Sequence, residues 1–213
     1  SFLIGQFQDK ETGDWFHTYK NGQARFPAFL DDYAYLIGAL LKLSEVSGKN
    51  HYLILATDIT RKVIAGFSEG ESPFFYYTPL GQKDIIVRKK EVYDGAIPSG
   101  NAIMAWNLYR LSILTDQPAW KERAVAMLES LMQPVIRYPT SFGVWAALLQ
   151  EMVNGTHEIA VTGESALSEG VKLLSLYLPN RIFQMSVHPD ESLPMMRGKS
   201  AGPGATWWLC RNY

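Results

Sequence analysis

The stretch FLDDYAYLIGALLKLSEVSGK, Phe29 to Lys49, decides the fold class. Tyr33, Leu36, Ile37, Leu40, Leu41 and Leu43 recur at three- and four-residue spacing, which lays one apolar stripe along a helix. Asp31 and Asp32 fall in its first turn, where the helix dipole favours negative charge. Ser47-Gly48 ends it. A second helical period follows at Tyr52, Leu55, Ala56, Ile59, Val63, Ile64 and Phe67. One such hairpin cannot bury its own apolar face, so the pattern demands neighbours.

The sequence supplies one. A shift of 68 residues carries Leu36 onto Met104, Leu40 onto Leu108, and Leu43-Ser44 onto Leu111-Ser112. The same shift carries Tyr52 onto Trp120, Ala56 onto Ala124 and Val63-Ile64 onto Leu131-Met132. The spacing predicts two antiparallel helix pairs, over Phe29–Phe67 and Ser99–Gln133, stacked in parallel register. Ser99 is the expected cap of the third helix. Phe142, Trp145, Leu148, Leu149 and Met152 mark a fifth. Stacked hairpins of this kind build a helical toroid or an α-solenoid.

Outside the hairpins the grammar differs. Trp15 to Tyr19 followed by Asn21-Gly22 reads as an extended arm or short β-hairpin. Phe74–Thr78 and Ile85–Val87 read as two short strands around the turn Pro79-Leu80-Gly81. Past Asn154-Gly155, Glu158–Gly163 reads as a buried strand, Ser165–Tyr177 as a helix and Ile182–Val187 as a second strand, a βαβ-like unit. Thr206–Cys210 is expected to add another strand. The reading is therefore mainly α: helical-hairpin toroid fragment over 1–155, small α/β tail over 156–213.

Composition narrows the function. Hydrophobic residues make up 47% and charged residues 19%, a globular balance. Twenty Lys plus Arg oppose 21 Asp plus Glu with no basic block, which argues against nucleic acid. No apolar run reaches membrane-spanning length and no signal-peptide pattern opens the chain. The lone Cys210 forbids an internal disulfide and suits a reducing, cytoplasmic setting. The start at Ser1 and the stop at Tyr213 directly after an apolar run lead us to expect a piece of a longer protein.

Four segments carry a family resemblance: Phe29 to Lys49 above, EVYDGAIPSGNAI from Glu91 to Ile103, RYPTSFG from Arg137 to Gly143, and GKSAGPGATWWLCRN from Gly198 to Asn212. Together they resemble the C-terminal half of the YyaL family, bacterial relatives of the spermatogenesis-associated thioredoxin-domain protein. The resemblance covers essentially the whole chain. It implies a longer parent with an N-terminal thioredoxin-like domain carrying CxxC, absent here, and a six-hairpin (α/α) toroid similar to those of glycoside hydrolases and N-acylglucosamine epimerases. The family's closing C-x-N-x-x-C survives here only as Cys210-Arg211-Asn212.

Candidate chemistry gathers at the helix starts. Asp31 or Asp32, together with Asp94, could act as general acid and base on a sugar oxygen at the toroid mouth. The same residues also read as helix-dipole and loop-capping groups. Equivalent helix ends gather at one mouth, so Asp31 or Asp32 is expected within reach of the Asp94–Asn101 loop. Ser99, Asn101, His17, Tyr33 and Tyr93 are the expected substrate-binding set, with Trp15, Tyr19 and Trp145 as further aromatic walls. His17, His51, His157 and His188 have no metal-ligand spacing, so neither metal nor cofactor is expected. The resulting expectation is glycosidase- or epimerase-like acid/base work on a carbohydrate-like small molecule. The rival is a non-enzymatic scaffold or interaction module serving the parent's thioredoxin-like domain.

Overall fold

The computed structural model describes residues 2–82 and 85–210. The described residues form a mainly α-helical protein with two small sheets. Arg211 and Asn212, the end of the fourth resembling segment, lie outside them.

The chain opens with the short helix α1 (Phe2–Gln6), then a hairpin of β1 (Phe16–Lys20) and β2 (Gln23–Pro27). The strands pair antiparallel, Thr18 opposite Arg25. Their turn places Asn21 and Gly22 both at positive φ, as that dipeptide favours.

Helices α2 (Leu30–Ser47) and α3 (Asn50–Phe67) form the first pair, α4 (Gly100–Thr115) and α5 (Pro118–Ser130) the second. Only two residues join the helices of each pair, which forces them antiparallel. Helix α2 packs along α4. Asp31 abuts Gly100 at their starts, Asn107 Nδ2 donates to Ala34 O further along, and both helices end against the same tail strand, so the two run parallel.

The repeat persists into the caps. Gly48 and Asp116 stand at equivalent positions, both in the left-handed region, and their N–H groups donate to Ser44 O and Ser112 O. Ala56 and Ala124, also equivalent, are fully buried. One boundary differs from expectation. Helix α5 stops at Ser130, short of the expected Gln133, and Pro134 lies inside the short α6 (Met132–Arg137). A proline in the first turn costs no hydrogen bond, because those N–H groups have no intrahelical partner.

The expected strands at Phe74–Thr78 and Ile85–Val87 do not form; both segments are irregular. Phe75 gives its N–H and C=O to the side chain of Asn101 rather than to a neighbouring strand. Tyr77 N–H donates to Lys89 O. Ile86 and Val87 lie in solvent, so their apolar run marks no core strand.

Helix α7 (Gly143–Asn154) buries Trp145 and Leu148 against the helical core. Beyond it, β3 (His157–Thr162), α8 (Ala166–Leu174) and β4 (Arg181–Ser186) make the expected βαβ unit, with β3 and β4 parallel. Strand β5 (Thr206–Cys210) pairs antiparallel with β3, giving the order β4-β3-β5. Ile159, Val161, Phe183 and Met185 meet Ala166 and Leu173 of α8 in a second apolar cluster. Ile182 and Met195 belong instead to the large helical core, and Arg181 pairs with the buried Glu45 of α2.

Candidate functional site

The start of α2 forms the floor of a cavity of about 460 Å³. Strand β1, the start of the chain and the loop before α4 wall it. Asp31, Asp32, Tyr35 and Leu36 line it from α2, Phe16 and His17 from β1, Trp15 from the approach to β1, Leu3 and Phe7 from the first segment, and Tyr77 and Ile97 from the loops.

The two acids divide their work because successive helical residues point about 100° apart. Asp32 Oδ2 accepts from the Phe29 backbone N–H at 2.8 Å, which caps the helix from its third position. The same oxygen lies 2.8 Å from Nδ1 of His17. The His17 ring rests on Phe29, which stacks on Tyr77 with centroids 4.9 Å apart and planes 17° from parallel.

Asp31 turns the other way. Its Oδ1 is buried and has no hydrogen-bond partner among the described residues. Burial pushes its carboxyl above the usual carboxylate range; the nearby Gly100 amide pulls the other way, while Asp32 and Glu91 add to the rise. The Gly100 N–H thus lies close enough to favour the ionised form without giving Oδ1 a well-aligned bond. Any side chain at Gly100 would collide with this oxygen, so glycine there is what lets α4 start against Asp31.

Two tyrosines respond to the same carboxylates. Burial, then Asp31 and Asp94, raise the Tyr35 phenol. Burial, then Asp31, Asp32 and Glu91, raise that of Tyr77. Tyr35 donates to Pro98 O at 2.8 Å, tying α2 to the loop before α4. Tyr35 sits one turn after Asp31, and that spacing alone would have placed it on the same face. Tyr77 and Glu91 come from irregular loops and carry no local signal.

Of the residues expected from sequence, the structure brings His17, Asp31, Asp32 and Tyr33 to one cavity. Tyr33 is almost buried there, its hydroxyl accepting from the Trp15 N–H. The Asp94–Asn101 loop does reach Asp31 through Gly100, but its polar side chains turn to the fold. Asp94 accepts from the Ser99 N–H through one oxygen and from the Val144 N–H through the other. Ser99 caps α4 by accepting from the Ala102 N–H. Asn101, fully buried, accepts from Phe75 N–H and donates to Phe75 O and Glu91 O. Tyr93 packs on Phe142 away from the cavity and is 66% exposed. Among the described residues no three His, Cys, Asp or Glu side chains are placed to share a metal ion, and no helix is long and apolar enough to cross a membrane.

No family model matches the chain. An uncharacterised protein of Caenorhabditis elegans is 25% identical over 201 residues, covering 91% of this chain and 27% of its own length. Spermatogenesis-associated protein 20 of Rattus norvegicus is 31% identical over 161 residues, and that of Homo sapiens 28% over 160, each covering 72% of this chain. The chain spans 20% of the length of either mammalian relative. These similarities support kinship with the spermatogenesis-associated protein 20 family.

Proposed function

We propose that the chain supplies an acid/base cleft for a carbohydrate-like small molecule within a longer protein, and that its stacked hairpins are a segment of an (α/α) toroid. In this proposal residues 1–155 are the toroid part and 156–213 an appended α/β tail. The observation that carries the reading is the Asp31 carboxylate: unpartnered at Oδ1, raised in proton affinity, and facing a cavity with aromatic walls. A carboxyl of raised proton affinity suits a general acid, and a second carboxylate beside an imidazole suits a general base. Asp31 takes the first role and the Asp32–His17 pair the second. Tyr35 and Tyr77 offer the flat faces against which sugar rings stack. Asp94 serves as a positioning residue, holding the loop that sets Gly100 against Asp31. The parent's thioredoxin-like domain, implied by the family resemblance, is then a neighbour in the same polypeptide.

A second reading has its own support. Asp94, Ser99, Asn101 and Tyr33 all spend their polar groups inside the fold, as an interaction scaffold would. One experiment separates the two. Monosaccharides titrated into the protein by calorimetry should bind saturably, and Asp31→Asn should weaken that binding. Binding unchanged by Asp31→Asn would remove the acid/base reading and leave the scaffold.

A further inference from the structure

The charge and shape of the same cavity say more about its occupant. Asp31 and Asp32 both line it, and among the described residues no lysine or arginine does. The one imidazole on the wall, His17, is engaged by Asp32. Glu91 adds to the negative field at Asp31. An anionic ligand would meet like charge here, and a neutral hydroxyl would offer the Asp31 carboxylate only an uncharged donor, roughly half as strong as an ammonium. The walls are electron-rich rings, those of Trp15, Tyr33, Tyr35 and Tyr77. Ring faces attract cations, and a buried carboxylate gains most from a charged donor. Trp15 is only 5% exposed, lines the cavity, and its indole Nε1–H has no partner among the described residues. The unmet acceptor and the unmet donor, each covered by protein atoms, thus belong to two residues that line one volume.

We propose that the cavity takes a ligand bearing a protonated amine, the ammonium pairing with the Asp31 carboxylate and the body of the ligand packing on the rings of Trp15, Tyr35 and Tyr77. The inference rests on the small-molecule reading above and deepens it, by naming the group that the acids recognise. It involves no covalent step. Phosphorylated or carboxylated sugars are the class it excludes.

The test uses four probes against this chain by calorimetry: glucosamine, glucose, glucose 6-phosphate and cyclohexylamine. Glucosamine should bind at least roughly tenfold tighter than glucose, the increment of one charge-assisted bond, and glucose 6-phosphate should not bind. Its affinity should fall as sodium chloride rises, whereas that for glucose should not. Asp31→Asn should erase the difference between the two sugars; should that variant fail to fold, the salt dependence decides alone. Equal affinity for glucosamine and glucose overturns the amine proposal and leaves the carbohydrate reading standing. Cyclohexylamine binding as tightly as glucosamine keeps the amine proposal and sinks the carbohydrate reading. No binding by either amine overturns the proposal outright.

Discussion

The starts of α2 and α4 are the same place in two copies of one repeat, yet they are spent differently. At α4 every polar side chain is consumed: Ser99 caps the helix, Asn101 bridges to the loop at Phe75 and Glu91, and Asp94 ties in α7. At α2 only Asp32 is consumed, by the Phe29 N–H and His17. Asp31 lines a cavity and keeps one buried oxygen without a hydrogen-bond partner. A duplicated hairpin can therefore spend the polar groups of one copy on cohesion and leave a carboxylate of the other without a hydrogen-bond partner. The physical divider is neighbourhood: a long loop folds over the start of α4, while a hairpin and a short helix leave space above α2.

The sharpest way to break this contrast is Asn101→Ala. It strands two buried backbone groups, at Phe75 N and Phe75 O, and a part-buried one at Glu91 O, and should cost roughly 2–4 kcal/mol, read from urea unfolding. A loss under about 1 kcal/mol would mean that water replaces the side chain and that the α4 start is not the cohesive one.

The C-terminal caps offer the next test. Asp116 tolerates the left-handed region, but at Gly48 a Cβ would stand 2.7 Å from both Met185 O and Leu167 Cδ2. Gly48→Ala should cost roughly 2–4 kcal/mol, combining backbone strain with overpacking against the tail. If the change is neutral by thermal unfolding, the tail does not press on α2 as described.

Ser99→Ala removes the single side-chain cap of α4 and should cost about 1 kcal/mol. Leaving the unfolding midpoint unmoved would assign capping to Asp94 alone.

Asp31→Asn should have the smallest effect and the opposite sign. The carboxyl's proton affinity is raised on folding, so its ionised form costs stability. That cost is absent below the unfolded value near 3.8 and appears as pH rises through the higher folded value. The variant should gain a few tenths of a kcal/mol at neutral pH, solvent screening keeping it small, and the gain should vanish on acidification. A loss of stability at neutral pH would show that Asp31 has a structural partner.

The candidate site was half legible before any coordinates. The repeat placed the two helix starts together, because equivalent ends of stacked hairpins share one side. The repeat could not say which polar groups would be consumed. Asn101 bonds to Phe75 across 26 residues of chain, and no periodicity encodes that distance. The same pairing explains the strands expected at Phe74–Thr78: alternating apolar residues suggested a ladder, and one buried amide satisfied the backbone instead.

Sequence by itself determined the four helices of the repeat, α7 and α8, the pairing of the first four, the first hairpin's turn and the βαβ order of the tail. Each follows from contacts between residues a few positions apart, where spacing and cap chemistry dominate. Tertiary structure alone decided which acid keeps an unpartnered oxygen, that Tyr77 and Glu91 join it, and that among the described residues no lysine or arginine lines the cavity. Those outcomes depend on which distant loop covers which helix end. Burial and neighbouring charge set them, and neither is a property of local sequence.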